Sequence, residues 1–173
     1  MISITTGVSP ACERPSMRSQ FVFGFAIALA LVFAPFSAQA ITIQFVPADQ
    51  TVNLGDLASV DILLSGLGEG VAPSLGSFDL DVTFDPTILV PVSVTFGPFL
   101  GDPLDPLETL TAYLFAPGLV DLAEVSLLFD FELDALQPNG FPLATLFFDT
   151  VGVGTSLLTF SQVELGDAGF PPW

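Results

Sequence analysis

GSFDLDVTFDPTIL, from Gly76 to Leu89, is the stretch whose pattern, ending and flanking turns point to one structure. Phe78, Leu80, Val82 and Phe84 alternate with Ser77, Asp79, Asp81 and Thr83, a period of two that puts the apolar set on one face and the polar set on the other. That is the signature of a half-buried β-strand. Asp85-Pro86 ends it, because proline cannot donate to a ladder and pushes the preceding residue into an extended or turn conformation. Thr87-Ile88-Leu89 then opens a second apolar run.

Outward from this strand, similar segments follow one another. Thr42 to Val46 is a short β-rich run, turned by Pro47 to Gln50 ahead of Thr51 to Leu54, and Gly55-Asp56 marks another turn. From Ser59 onward, Val60, Ile62 and Leu64 form the apolar side of a strand, and 66–74 is a Gly- and Pro-bearing loop. Val92, Val94 and Phe96 alternate with Ser93 and Thr95. Residues 97–108 hold three prolines and two glycines and predict a long irregular connection, with Thr109 to Phe115 an edge strand beyond it. After Pro117-Gly118, the odd residues Val125, Leu127, Phe129 and Phe131 are expected to face inward against Glu124, Ser126, Asp130 and Glu132. Pro138-Asn139-Gly140 turns into Leu143 to Thr150, whose adjacent Phe147 and Phe148 suggest burial on both sides, and Ser156 to Leu165 reads as a last strand. No segment reads as a long amphipathic helix. Abundant Gly and Pro with short alternating runs predict an all-β fold, a single antiparallel β-sandwich.

The amino-terminal part differs in kind. Phe21 to Phe36 is almost unbroken apolar sequence, preceded by Arg18 and followed by Ala38-Gln39-Ala40, which predicts a secretory signal peptide over residues 1–40 with cleavage before Ile41. Met17-Arg18 would open a leader of ordinary length, so residues 1–16 are expected to be an upstream start. The leader takes 40 of 173 residues and one of 19 carboxylates, leaving 133 residues with 18 carboxylates and no Lys, Arg, His, Cys or Met. Such a chain is extracellular or periplasmic by expectation, without a lasting membrane span, and cannot form a disulfide. About 133 residues support one core and one domain, 41–173. A net charge near −18 excludes electrostatic attraction to nucleic acid or anionic lipid and predicts that salt stabilises the fold.

The same composition restricts chemistry. General acid–base and nucleophilic catalysis usually draw on His, Cys or Lys, so the reading is that of a non-catalytic protein. Asp149-Thr150 has the first two residues of an aspartic-protease triplet, but Val151 replaces its glycine and no second copy follows. A glycosidase would need only two carboxylates at a set separation, and no clear cleft is evident for them. Asp79, Asp81 and Asp85 lack the spacing of an EF-hand, as do Asp102, Asp105 and Glu108; of these, Asp102 and Asp105 are the candidate for a weak calcium site. No phosphate-binding fingerprint occurs. Carbohydrate binding is the competing function, although the aromatic residues best suited to a sugar platform are reduced after the leader to Tyr113 and Trp173.

In order, the Gly55-Asp56 turn, VDILLS, GSFDLDVTFDPTIL, VSVTFGPFLGD, LATLFFDT and TSLLTFSQVELGD resemble a bacterial cohesin module, from Thr42 to about Asp167. The resemblance implies a flattened β-sandwich of jelly-roll topology, related in fold to carbohydrate-binding modules. It also implies calcium-dependent attachment to dockerin-like protein domains. Of the residues that make such contacts, it points to Asp79, six positions before the aspartate of Asp85-Pro86, and to Ser77. With Asp81 and Thr83 these form the candidate partner-binding ridge, about 20 Å long at the ~3.3 Å rise of a strand. A single module resembles secreted cohesin-like proteins of bacteria that build no cellulosome, with surface assembly or polysaccharide degradation as settings. A carbohydrate-binding module or a structural surface or matrix protein is the alternative.

Overall fold

The structure, a computed structural model, describes residues 40–168. The leader reading lies outside these residues apart from Ala40, as does Trp173. Eight strands form two antiparallel sheets: β1 (Thr42–Val46), β2 (Leu57–Ser65), β3 (Leu75–Thr83), β4 (Leu89–Phe96), β5 (Thr109–Ala116), β6 (Leu119–Ser126), β7 (Gly140–Thr150) and β8 (Thr159–Asp167). One sheet has the order β1-β2-β7-β4 and the other β5-β6-β3-β8. The chain changes sheet at every connection except β1–β2 and the β5–β6 hairpin, which gives the sandwich its interleaved topology. No helix among the described residues is long and apolar enough to cross a membrane.

The period-two faces meet in the middle. Ile62 and Leu64 of β2, Leu80 and Val82 of β3, Val120 and Leu122 of β6, and Leu146 and Phe148 of β7 are all fully buried in one cluster. Burying each such side chain contributes about 1.5–3 kcal/mol, so this cluster dominates the stability of the sandwich. Aromatic pairs join the two layers: Phe78 of β3 lies 6.2 Å from Phe96 of β4, Phe84 meets Phe148 edge-on at 5.3 Å, and Phe45 of β1 stacks on Phe160 of β8 at 4.1 Å.

Three Asp-Pro turns share one device. Asp85 Oδ1 accepts the Thr87 amide at 2.8 Å and its hydroxyl at 2.7 Å, Asp102 Oδ1 accepts from Leu104 N at 2.9 Å, and Asp105 Oδ1 accepts from Leu107 N at 2.9 Å. Each carboxylate thus caps the amide two residues on. The Thr87 bonds, side chain first, hold the Asp85 carboxyl below its usual range. Between β5 and β6 the loop is Pro117-Gly118 alone, and Gly118 takes φ +79°, a conformation that favours glycine.

Several sequence expectations are corrected. In β6 the even residues Val120, Leu122 and Glu124 face inward, while Val125, Leu127, Phe129 and Phe131 are exposed. The strand leaves the sheet at Ser126, and Asp130–Leu136 is a short helix, α1, with Phe129 N donating to Glu132 Oε2 at 3.0 Å at its start. In β4 a bulge at Val92 breaks the alternation, so that Val94 and Phe96 pack inward and Val92 is exposed. Thr51 to Leu54 forms no strand, and β8 begins at Thr159 because Ser156 is engaged elsewhere, its Oγ accepting from Asp85 N at 2.9 Å. Phe147 and Phe148 divide between the faces, Phe148 buried and Phe147 half-buried on the outside.

A candidate protein-binding face

The outer face of the β5-β6-β3-β8 sheet is built by register. Residues directly opposite one another in antiparallel strands share a face, so each residue of β3 fixes a row across the sheet. Leu110, Val125, Ser77 and Gly166 make the first row; Ala112, Ala123, Asp79 and Glu164 the second; Leu114, Asp121, Asp81 and Gln162 the third; Ala116, Leu119, Thr83 and Thr159 the last. All four ridge residues expected from the sequence stand here side by side, half-exposed, on a strand held between two neighbours. A central strand fixes their backbone on both sides, which suits a rigid recognition surface.

The face has two halves. Toward β5 it is apolar, with Leu110, Leu114 and Val125 all exposed. Toward β3 and β8 it is acidic: Asp81 lies directly opposite Asp121, and Asp79 directly opposite Glu164. Like charges facing each other across a pair are destabilising. Burial, then the charges of Asp81 and Asp79, push the Asp121 carboxyl above its ordinary range. No cation among the described residues relieves this, because neither Lys, Arg nor His occurs after Arg18. Thr83 Oγ1 donates to Thr159 O at 3.2 Å, and Gln162 Nε2 to Glu164 Oε1 at 3.4 Å, so those polar groups are partly engaged within the sheet.

Asp121, Glu164 and the leucines of β5 were missed by sequence reasoning. The signal was available for Asp121, since Val120-Asp121-Leu122 alternates in the right phase. The inward Glu124 broke that pattern and favoured the opposite phase. Glu124 itself is 1% exposed, accepts one hydrogen bond from Thr109 Oγ1 at 3.2 Å, and leaves Oε2 without a partner. Burial raises its carboxyl to about 7, with the Thr109 bond opposing.

The other candidates are placed apart from this face. Asp102 and Asp105 cap their own turns, Asp102 N donates to Glu108 Oε2 at 3.0 Å, and no three His, Cys, Asp or Glu are grouped to hold a metal among the described residues. Thr150 of the Asp149-Thr150 pair is buried, its Oγ1 within 2.7 Å of Asn53 O and 2.8 Å of Asp56 O, where it latches the Gly55-Asp56 turn.

No protein-family model matches the sequence, and no curated protein matches it. Solved structures do match in shape. The sixth cohesin of scaffoldin B from Acetivibrio cellulolyticus, solved with a Cel5 dockerin, superposes with a TM-score of 0.56 at 18% identity, over 75% of this chain and 87% of that one. The OlpA cohesin of Clostridium thermocellum, also solved with a dockerin, gives 0.58 at 14% identity over 75% and 87%. A type II cohesin domain from the cellulosome of Acetivibrio cellulolyticus gives 0.54 at 15% identity over 72% and 75%. The likeness is one of fold: the chain is a cohesin-type β-sandwich.

Proposed function

We propose that the outer face of the β5-β6-β3-β8 sheet binds a protein partner of dockerin type, as a non-catalytic attachment module on an exported chain. The observation that carries this reading is the Asp81–Asp121 pair, with Asp79 and Glu164 in the adjacent row, where no Lys, Arg or His occurs among the described residues to neutralise them. A partner that offers arginine, lysine or hydroxyl donors relieves that repulsion and gains charge-assisted hydrogen bonds, while apolar side chains beside them cover Leu110, Leu114 and Val125. Two of the similar structures are complexes with dockerins, which supports the partner class. Calcium enters through the partner in this reading, rather than through Asp102 and Asp105. A sugar platform fits the face less well, because none of its sixteen positions is aromatic.

Calorimetric titration against a panel of dockerin domains, with and without a calcium chelator, tests the proposal. Asp79→Ala weakens binding by about 1 kcal/mol or more and leaves the melting temperature nearly unchanged. Unchanged affinity removes Asp79 from the site, and absence of binding to every dockerin, beside capture on a polysaccharide panel, transfers the protein to the carbohydrate reading.

A further inference from the structure

Four strands end the two sheets: β1, β4, β5 and β8. Three of these edges are blunted in the ways that discourage pairing with another chain. β1 has only five residues, β4 carries Pro91 and a bulge, and β8 carries Glu164 and Asp167 with two breaks in its register against β3. β5, Thr109–Ala116, is different. Its eight residues, TLTAYLFA, include no charge, proline or glycine, and its register with β6 is unbroken.

The hydrogen-bond phase of β5 follows from its two ends. Leu127 N donates to Glu108 O at 2.7 Å, and the two-residue loop closes the hairpin between Ala116 and Leu119, so the even residues exchange bonds with β6. The odd residues aim their N–H and C=O groups away from the sheet. Thr109 N is taken by Asp105 O at 3.2 Å, which leaves Thr111, Tyr113 and Phe115 as the open edge among the described residues.

We propose that this edge pairs antiparallel with the same edge of a second copy of the chain, about a two-fold axis at Tyr113, joining two four-stranded sheets into one of eight strands. The register is set by size. With Tyr113 opposite Tyr113 of the second copy, Thr111 and Phe115 face each other and all six open backbone groups are paired. On the outer face Leu114 then falls opposite Ala112 and Leu110 opposite Ala116, a large side chain against a small one at every position. Charge selects a copy of the same chain. Two strongly acidic molecules can approach only along an uncharged line, and the nearest outward carboxylate, Asp121, sits one strand inside. The two Asp121 residues would lie three strand spacings apart, about 14 Å, beyond the screening length of about 8 Å at physiological ionic strength. Glu108, beside the strand, is folded back onto Asp102 N. A basic foreign strand, by contrast, would be drawn to the acidic ridge and not to this edge.

Sedimentation velocity on the full chain carrying Cys12→Ser tests the pairing. The expected result is a reversible dimer whose fraction rises with protein concentration and with salt. Thr111→Pro removes an outward N–H and no bond to β6, and is expected to weaken the dimer at least about tenfold, a loss of about 1.4 kcal/mol in pairing energy. In the same background Tyr113→Cys cross-links to itself on oxidation, since hydrogen-bonded partners stand about 5.5 Å apart at Cα, within disulfide reach. Thr111→Cys does not, because the two copies of that position lie about 13 Å apart along the strands. A monomer at every concentration and salt, a dimer indifferent to Thr111→Pro, or equal cross-linking by the two cysteines overturns the proposal. The cysteine pair decides the register even if the proline variant misfolds. The binding reading of the acidic ridge stands or falls separately, on Asp79.

Discussion

Two carboxylates show how burial and neighbours set opposite costs on single residues. Asp121 faces Asp81 across β6 and β3, so Asp121→Asn removes a like-charge contact on the exposed side of the sheet. It is expected to raise stability by about 0.5 kcal/mol while weakening a cationic partner, a trade that urea unfolding and binding titration measure together. Glu124 lies on the other side of the same strand, enclosed by the core. Its folded carboxyl titrates near 7 against an ordinary 4.5, so between these values the folded chain holds a proton that the unfolded chain has released. Stability therefore falls as pH rises from about 4.5 to 7 and levels above that window on this account. Glu124→Gln keeps the hydrogen bond from Thr109 and removes the charge. Its melting temperature should match the parent near pH 4.5 and exceed it by about 3–5 °C at pH 8, for about 1 kcal/mol or more of relief; parallel curves would show that Glu124 does not titrate in this range.

At the scale of elements, β3 was the most legible part of the chain because a central strand with one wet face leaves its period in the sequence unaltered. Val82 is fully buried and Thr83 half-exposed beside it. Val82→Asp places an unpaired carboxylate in the core and should cost at least about 3 kcal/mol, whereas Thr83→Asp should cost under about 1 kcal/mol in chemical denaturation; equal losses would contradict the assigned faces. Other elements were legible only in part, for physical reasons. A single bulge reverses the phase of β4, and a single inward glutamate hides that of β6. The helix α1 could not be seen because seven residues are too short to show a helical period, and its place is held by one side chain just beyond it. Gln137 is buried, and its amide donates to Leu75 O at 2.7 Å and Phe99 O at 3.0 Å while its Oε1 accepts from Leu75 N at 2.7 Å. The side chain acts there as a further strand for the start of β3. Of the site, the ridge on β3 was legible, and the half contributed by β5, β6 and β8 required register that no local pattern contains.

For the whole molecule, charge and topology set the behaviour. Eighteen carboxylates without a basic residue after Arg18 oppose compaction, and added salt shortens their reach from about 30 Å at 0.01 M to about 3 Å at 1 M. The melting temperature is accordingly expected to climb by several degrees across that range, followed by circular dichroism at fixed pH; a flat response would mean that the carboxylates are too dispersed to act together. The position of β8 in the face has a consequence for biosynthesis. Thr159 reaches Thr83 across 76 residues of chain, and β8 supplies the outer column of the candidate site. A nascent polypeptide therefore lacks the complete candidate face until β8 has left the ribosome. Contacts this distant in sequence also slow folding, so the chain stays open longer than one closed by local contacts.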